Sequence, residues 1–427
     1  MKQTILLFLL MILFINHQSK ADVALNFCAM AHCNPRLSDQ IFSQSITGFS
    51  QTWKFGSRGV GFGLGAVVGT DFTAITFSSS PSLVVLNADG TERWNSGNQI
   101  GSLTKSAALV DSFNNIYVAD NNNIFKFSPF GVLIWRTPNP ANSTPFSLNV
   151  TSEGNLFGYG QSGSAWLVNQ ASGLVLSTLN LTGRVGNKNG TYITVNTASI
   201  SGNRIYIATQ FSSNSKYGRL YALDSTNEVL NVAWTWDFGG VTGGSPTISG
   251  NRIYFDGRRI NATDNSTGLF LFAVQDNGSS PQLLWFQNIA SLSNSGNDIQ
   301  VSPAIDTRGG VWAFAVNGSN LLRFNELNGQ NIQQINLSNT LNGQYAPSSV
   351  MMIAHNNGFP LMYVGAMPKQ GFSGLPKITA IDLNNGNLIF SHNLESNTYS
   401  QFPIIPSNPN VLIVPSASSG IYGLRGN

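Results

Sequence analysis

Charged side chains are scarce in this sequence. Asp, Glu, Lys and Arg make up 10% of the 427 residues, whereas an ordinary soluble domain has about 25%. Asn, Ser, Thr and Gly take their place, and these residues suit short strands joined by turns. The formal net charge is only +3, and Arg258-Arg259 is the one pair of adjacent basic residues. We therefore expect no nucleic acid or other polyanion as a partner.

Long apolar runs are also absent after the first 21 residues. At the start, Lys2 precedes an apolar run over residues 5–15 that is short for a membrane span, and small residues stand at Ser19 and Ala21. This pattern predicts a signal peptide over residues 1–21, cleaved after Ala21; an uncleaved anchor is the alternative. Cleavage removes two lysines and no acid, so the net charge falls from +3 to +1. We expect a secreted protein (extracellular, or periplasmic if bacterial) with no membrane span after cleavage.

Cysteine and histidine are rare, with two and four residues in the chain. Cys28 and Cys33 lie close to the predicted mature N-terminus, and in an oxidising compartment a disulfide between them is expected. Its loop is short, so it would pin an N-terminal arm, residues 22–45, rather than hold the whole fold. The alternative is a metal site with His32, although two Cys and one His fall short of a closed tetrahedral zinc shell.

What the sequence has in abundance is glycine at a fixed distance before an aromatic residue. Gly90 is followed four residues later by Trp94, and Gly131 by Trp135. Each glycine follows a short apolar run, so it closes a tight turn that needs positive φ, and the aromatic begins the returning strand. Trp53, Trp94 and Trp135 are 41 residues apart each time. A unit that recurs every 40–50 residues in an all-β sequence is typical of a propeller blade.

Eight positions of this kind can be placed along the chain. The aromatic residues among them are expected to pack between neighbouring blades, as structural docking residues. They are Trp53, Trp94, Trp135, Trp236, Trp285 and Phe390. The corresponding repeats lie near residues 64–95, 106–137, 145–181, 197–238, 244–288, 301–337 and 345–394.

Two terminal segments remain outside these repeats. Residues 400–427 contain three apolar strand-like runs with no fourth, and residues 46–55 contain one that ends near Trp53. Joined, they make one complete blade, which closes the ring and removes exposed edges. We therefore predict an all-β fold: an eight-bladed β-propeller of four-stranded antiparallel blades over residues 46–427, closed by an N-terminal strand that pairs with C-terminal strands. Seven blades is the alternative count.

The repeat resembles that of the pyrroloquinoline-quinone-type, or quinoprotein alcohol dehydrogenase-like, propellers, whose motif is Ala-x-Asp-x-x-x-Gly-x-x-x-Trp. Residues 380–390 match this motif with Phe390 in place of Trp, and residues 220–226 match its first half. The resemblance covers most of residues 46–427 and implies the eight-bladed fold. It does not imply the chemistry, because many propellers of this type carry no cofactor.

A quinoprotein dehydrogenase holds a calcium-bound quinone, needs a carboxylate base and usually has an adjacent Cys pair, and no Cys-Cys occurs here. The loops expected at one mouth of the channel contain Arg58, Lys105, Lys188, Asp298 and Glu395. Two isolated acids are few for a calcium ion, which takes six or more oxygen ligands. We identify no catalytic residue, no metal ligand and no cofactor-binding residue, and we expect no cofactor.

These observations favour a secreted binding or scaffold module over an enzyme. Its ligand would be a protein, a glycan or an extracellular polymer, held by the loops of one propeller face or by the channel mouth. A nearly neutral surface suits hydrogen-bonded recognition more than electrostatic steering. The alternative is a quinone-dependent oxidoreductase that holds pyrroloquinoline quinone and calcium in the channel.

Asn-x-Ser/Thr sequons are numerous, and in a secreted protein they are candidate sites of N-glycosylation. Chance alone would give roughly this number in a chain so rich in Asn. The candidate residues are Asn142, Asn149, Asn180, Asn189, Asn261, Asn265, Asn277, Asn317 and Asn336.

Overall fold

The computed structural model of the chain shows an all-β protein. It describes residues 28–41, 46–56, 65–101, 106–143, 147–194, 196–241, 244–258, 268–291, 302–314, 318–356, 359–395, 405–407, 411–416 and 420–426. Within these ranges no helix is long and apolar enough to cross a membrane. The helical elements are one short helix, α1 (Leu337–Thr340), and one 3-10 turn (Thr226–Glu228).

Thirty-six strands account for nearly all the regular structure of the described ranges. The first fourteen are β1 (Gln40–Ile41), β2 (Phe49–Phe55), β3 (Ala66–Val68), β4 (Phe72–Thr76), β5 (Leu83–Asn87), β6 (Glu92–Asn95), β7 (Leu109–Val110), β8 (Ile116–Ala119), β9 (Asn123–Phe127), β10 (Leu133–Pro138), β11 (Asn149–Val150), β12 (Asn155–Tyr159), β13 (Ser164–Asn169) and β14 (Val175–Asn180). The next ten are β15 (Thr182–Val185), β16 (Lys188–Ile193), β17 (Ser199–Ser201), β18 (Arg204–Phe211), β19 (Asn214–Asp224), β20 (Asn231–Val241), β21 (Thr247–Ser249), β22 (Arg252–Arg258), β23 (Gly268–Asp276) and β24 (Pro281–Ser291). The last twelve are β25 (Ala304–Ile305), β26 (Gly310–Phe314), β27 (Asn320–Asn325), β28 (Asn331–Asn336), β29 (Tyr345–Pro347), β30 (Met352–Asn356), β31 (Phe359–Pro368), β32 (Lys377–Asp382), β33 (Leu388–Asn393), β34 (Ile405–Ser407), β35 (Val411–Pro415) and β36 (Ile421–Gly426).

These strands form a tandem series of sheets, most of them four-stranded and antiparallel. Sheets 1, 2, 3 and 5 contain β3–β6, β7–β10, β11–β14 and β25–β28 in sequence order. Sheet 4 has ten strands, β15–β24, because β20 continues past its own neighbours and pairs with β22. Sheet 6 contains β29–β33 together with β1, which pairs in parallel with β30. Sheets 1, 2, 3, 5 and 6 each match one predicted repeat, whereas sheet 4 combines the repeats over 197–238 and 244–288 with the β15–β16 hairpin.

Sheet 7 joins the two ends of the chain. Its strand order is β2-β36-β35-β34, and β2 pairs with β36 in antiparallel register from Phe49 opposite Gly426 to Phe55 opposite Ile421. The predicted pairing of the N-terminal strand with the C-terminal strands is therefore confirmed. Because every hydrogen bond between these two strands joins distant parts of the sequence, the sheet holds residues 49–55 and 421–426 together.

Four tryptophans lie between neighbouring sheets. Each packs over a turn glycine of the next sheet along the chain, in the pairs Trp53–Gly90, Trp94–Gly131, Trp135–Gly173 and Trp285–Gly329. Trp94 also donates its Nε1–H to the carbonyl of Pro129, at 2.9 Å. Gly131 has φ +81°, and a Cβ added there would come within 2.8 Å of the indole ring of Trp94. The turn therefore needs glycine both for its backbone and for the space that the tryptophan fills.

The docking position of the repeat over 197–238 needs a correction. In the other sheets the aromatic follows a β-bulge, as Trp94 and Trp285 do. The corresponding residue after the bulge in β20 is Trp234, not Trp236. Trp234 donates to Asp276 at 2.8 Å, whereas Trp236 packs against phenylalanines such as Phe238 and Phe272 within sheet 4. The turn before β20 is longer than in the other repeats and contains no glycine, so the spacing that marks the other positions is missing here.

Candidate functional site

The N-terminal arm lies along the innermost strands of the sheets. Strands β3, β7, β17, β21, β25 and β30 donate backbone N–H groups to arm carbonyls, at N···O distances of 2.7–3.1 Å. The pairs, donor first, are Val68–Cys28, Val110–Ala29, Ile200–Pro35, Ile248–Arg36, Ile305–Ser38 and Ile353–Asp39. Sheet 3 contributes Asn149, whose side-chain amide donates to the carbonyl of Pro35 at 3.0 Å. The arm therefore meets sheets 1 to 6 in their order along the chain.

A short segment can meet six sheets only where their innermost strands converge. Residues 28–41 are fourteen residues, which span at most about 50 Å when fully extended and less here. Several arm residues have left-handed backbone, with φ +59° at His32, +54° at Leu37 and +53° at Asp39. Such backbone is costly outside glycine and persists where surrounding contacts hold it. We call this segment the axial arm, because it fills the space that the innermost strands surround.

The axial arm is part of the core. Ala29, Met30 and Leu37 are completely buried and pack with residues of sheets 1 and 2. Cys28 and Cys33 pack with residues of sheets 6 and 7. From the sequence we predicted an arm pinned by the disulfide, whereas in the structure this segment lies along the innermost strands. The apolar side chains Met30 and Leu37 so close to the disulfide were the available signal.

The disulfide between Cys28 and Cys33 is present, as predicted. Both sulfurs are committed to it, so they cannot serve as the thiolate ligands that the alternative metal site would need. Within the described ranges, no three His, Cys, Asp or Glu side chains are placed to hold a metal ion. The bridge closes a loop of the arm at the innermost ends of sheets 1 and 6.

His32 and Asp39 form a buried pair inside the axial arm. The Nδ1 of His32 lies 2.9 and 3.0 Å from the two carboxylate oxygens of Asp39. The Nε2 of His32 lies 3.4 Å from the Oγ of Ser302, just before β25, and this Oγ accepts the backbone N–H of Ser245 at 2.9 Å. Burial raises the pKa of Asp39, although the charge and hydrogen bond of His32 oppose the rise. Asp39 is fully buried and Ser302 is 3% exposed, so this Ser-His-Asp arrangement lies inside the protein.

The five residues predicted at the channel mouth do not form a described cluster. Arg58, Lys105 and Asp298 lie outside the described residues. Lys188 is exposed at the start of β16, on a hairpin with β15. Glu395 is exposed and pairs with Lys54 of β2, whose Nζ lies 2.6 Å from Oε1.

The axial residues do not fit a quinone at the level of the innermost strands. The backbone N–H groups that face the axis there bond to the arm, and side chains such as Met30 and Leu37 fill the space. The one carboxylate of the described arm, Asp39, is already bonded to His32. A planar cofactor at this level would have to displace the arm.

The glycosylation candidates differ in their surroundings. Asn149 is 1% exposed, and its Nδ2 donates to the carbonyls of Pro35 and Ala198, so a glycan on it is incompatible with this folded state. Asn277 is exposed in the turn between β23 and β24. Exposed positions also hold Asn142, Asn180 and Asn189, and Asn336 is partly buried at the start of α1. The remaining candidates, Asn261, Asn265 and Asn317, lie outside the described residues.

One turn at the outer rim of sheet 2 exposes large apolar side chains. β10 is the strand of this sheet farthest from the axis. Phe130, Val132 and Ile134, in the turn and at the start of β10, are 83%, 63% and 48% exposed. We call residues 128–134 the rim hairpin. Leu174, in the corresponding turn of sheet 3, is 64% exposed, so apolar exposure extends to the neighbouring sheet.

Comparisons with known proteins agree on the fold. The model of a family described as outer membrane protein assembly factor BamB matches residues 161–362. BamB from Moraxella catarrhalis is 12% identical over 88% of this chain and 100% of that chain, with a TM-score of 0.58. Quinohemoprotein alcohol dehydrogenase from Comamonas testosteroni is 10% identical over 93% of this chain and 80% of that chain, with a TM-score of 0.64. A computationally designed protein, Ika8, is 12% identical over 89% of this chain and 100% of that chain, with a TM-score of 0.58. No curated protein matches the sequence.

The resemblance to the pyrroloquinoline-quinone-type repeat propellers is therefore confirmed. At 10–12% identity the solved structures define the fold alone. An assembly factor, a dehydrogenase and a designed protein share this fold, so it does not by itself select a function.

Proposed function

We propose that this protein is a secreted, eight-bladed propeller that binds a protein partner through its outer surface and acts as a scaffold. The observation that carries the proposal is the axial arm. Six of its carbonyls accept hydrogen bonds from backbone N–H groups of the innermost strands, and its apolar side chains fill the axis. Recognition then falls to the periphery of the sheets.

The sheet inventory supports eight blades. Sheets 1, 2, 3 and 5 are one blade each, and sheets 6 and 7 contain one each. Sheet 4 divides into two four-stranded units, β17–β20 and β21–β24, with β15 and β16 as an inserted hairpin. The pairing of β2 with β36 is the closure that a complete ring requires.

The rim hairpin supports a protein as the partner. Phe130, Val132 and Ile134 present an apolar surface beside the outermost strand of a sheet. Exposed aromatic and aliphatic side chains at a protein surface are typical of protein interfaces. The family whose model matches residues 161–362 is described as an outer membrane protein assembly factor, and this description implies work with other proteins. A protein partner fits these observations better than a glycan.

The proposal predicts no quinone-dependent oxidoreductase activity. Purified protein supplied with pyrroloquinoline quinone and calcium should not reduce an artificial electron acceptor above the rate of the quinone alone. The physical reason is the arm, whose residues would have to leave the axis before a cofactor could enter at that level. Quinone-dependent and calcium-dependent reduction would overturn the assignment.

The binding role can be tested with variants at exposed apolar side chains of two sheets. Tagged wild-type protein is used to retain partners from the secreted fraction of its source, beside a Phe130→Asp, Ile134→Asp double variant. Leu327→Asp is the control, because Leu327 is 64% exposed in a turn of sheet 5. We expect wild type and control to retain the same protein partner, and the double variant to lose it. Equal retention by all three, or retention of a glycan alone, would contradict the proposal.

A further inference from the structure

One buried group of the axial arm is not explained by partner binding. His32 contacts Asp39 within the arm and Ser302 in the segment that leads into sheet 5. It is therefore the side chain that ties the disulfide loop to both the arm's end and a sheet. We call His32, Asp39 and Ser302 the axial anchor.

We propose that the axial anchor is proton-sensitive and holds the arm more firmly as the pH falls. This inference does not depend on the identity of any partner. It concerns how strongly the axis stays filled.

The hydrogen bonds of the anchor can accommodate an added proton. The Oγ of Ser302 accepts the N–H of Ser245, so its own hydrogen is available for the Nε2 of a neutral His32. If Nε2 is protonated instead, the second lone pair of the same Oγ can accept from it. At the other side of the ring, Nδ1 bonds to the carboxyl of Asp39. The geometry therefore keeps its contacts when the pair takes up a proton.

Besides burial, His32 is the one charged group among the described residues that shifts the pKa of Asp39. Within the arm, Arg36 is exposed, and Cys28 and Cys33 do not titrate because they are bonded. In sheet 5, Asp306 is paired with Arg323, at 2.6 Å. Sheet 6 contributes Tyr363, whose hydroxyl bonds to the backbone of Ile46. Sheet 4 contributes the uncharged Ser245 through its backbone.

The direction of the effect follows from the burial of Asp39. Burial raises the pKa of this carboxyl above its usual value of 3.8, so the folded arm binds a proton more tightly than the released arm. The bound proton contributes to the stability of the seated arm. This contribution is complete below the pKa of the released carboxyl and is lost as the pH rises through the raised pKa. Between the two values, the ratio of seated to released arm changes by up to about tenfold per pH unit.

Hydrogen exchange of the full-length protein tests this directly. The backbone N–H groups of Ile305 and Ile353 bond to Ser38 and Asp39, so they report on the seated arm. After correction for the intrinsic pH dependence of exchange, we expect their protection in wild type to increase as the pH falls from 8 to 4, by up to about tenfold per pH unit once the pH is below the raised pKa. Protection that is constant or decreases over this range would overturn the proposal, and this measurement needs no variant.

A matched pair of variants assigns the effect to the anchor. Asp39→Asn replaces the carboxyl with a neutral group of the same shape, so protection of Ile353 should become independent of pH. Asp71→Asn is the control, because Asp71 is an exposed carboxyl paired with Arg93, and it should keep the wild-type dependence. An unchanged dependence in Asp39→Asn would refute the assignment.

Ser302 distinguishes an anchor from a catalytic serine. Ser302→Ala removes one contact of His32, so it should lower protection at every pH while Asp39 still titrates. Wild-type Ser302 should not react with a fluorophosphonate probe, because it is buried. Labelling of Ser302 that His32→Gln abolishes would contradict the anchor and indicate a nucleophile.

Discussion

The axis and the rim of this protein differ in their hydrogen bonding and in the exposure of their apolar side chains. At the axis, six carbonyls of the arm between residues 28 and 39 are bonded to the innermost strands, and apolar side chains such as Met30 are buried. At the rim of sheet 2, Phe130 and Val132 are mostly exposed. The hydrogen bonds described at the axis are thus made within the chain, whereas the rim has exposed apolar surface that a partner can cover. Under the proposed function, this difference places partner binding at the rim rather than at the axis.

The largest expected effect is the loss of an axial side chain. Leu37→Ala removes a completely buried side chain that packs with the core of sheets 1 and 2. Such a truncation costs about 2–5 kcal/mol in the free energy of unfolding. Leu327→Ala at the rim is the control and should change it by less than about 0.5 kcal/mol. Chemical denaturation measures both, and equal effects would remove the distinction between axis and rim.

The next effect lies between the two regions. Trp94 is partly buried, packs over Gly131 and donates to Pro129, so it supports the rim hairpin from below. Trp94→Ala should destabilise the protein by about 2 kcal/mol or more through lost packing. It should also weaken partner retention, because the hairpin loses its support. An unchanged melting temperature would show that the tryptophan does not dock there.

The effect of pH on stability should differ in direction between the buried carboxyls. Burial raises the pKa of Asp256 well above its usual value, as it does for Asp39, so both contribute stability that is lost as the pH rises through their raised pKa values. For Asp306, burial acts upward but Arg323 outweighs it, and the pKa is lowered. Its contribution is present above its usual pKa of 3.8 and is lost as the pH falls through the lowered value. Asp306→Asn should therefore lower the melting temperature above pH 4 and have a smaller effect in stronger acid; a loss that is equal at every pH would contradict this.

The smallest effect concerns glycosylation in a host that carries it out. Asn277 is exposed in a turn, whereas Asn149 is buried and bonded to the axial arm. Folded secreted protein should therefore carry a glycan at Asn277 and none at Asn149, with little change in stability at the first site. Mass spectrometry of the glycopeptides decides this. A glycan on Asn149 in natively folded protein would contradict the position of the arm.

The sequence predicts most of the blades because each repeat carries its own local signals. The turn glycines at 90, 131, 173 and 386 have the positive φ that the pattern requires. Residues 201–204 and 249–252 are both Ser-Gly-Asn-Arg. They form the turns of the β17–β18 and β21–β22 hairpins, with φ +64° at Gly202 and +60° at Gly250. The closing sheet could be predicted because an incomplete blade at one end needs a strand from the other.

The axial arm could not be predicted in the same way. Its contacts are backbone carbonyls that bond to six distant strands, and carbonyls leave no trace in the identity of the residues. The pair of His32 and Asp39 is likewise visible only once the chain has turned back at the disulfide. Trp234 was missed for a simpler reason, since the turn before it has no glycine from which its position could be counted.

Cutting the chain after the axial arm is the most direct test of whether the arm fills the axis. A specific protease site placed at residues 42–45 would separate residues up to 41 from the rest of the folded protein. Because the arm bonds to six sheets and buries its apolar side chains, we expect it to co-elute with the remaining chain in size-exclusion chromatography after cleavage under native conditions. Loss of the arm from the folded remainder would contradict the claim that it fills the axis.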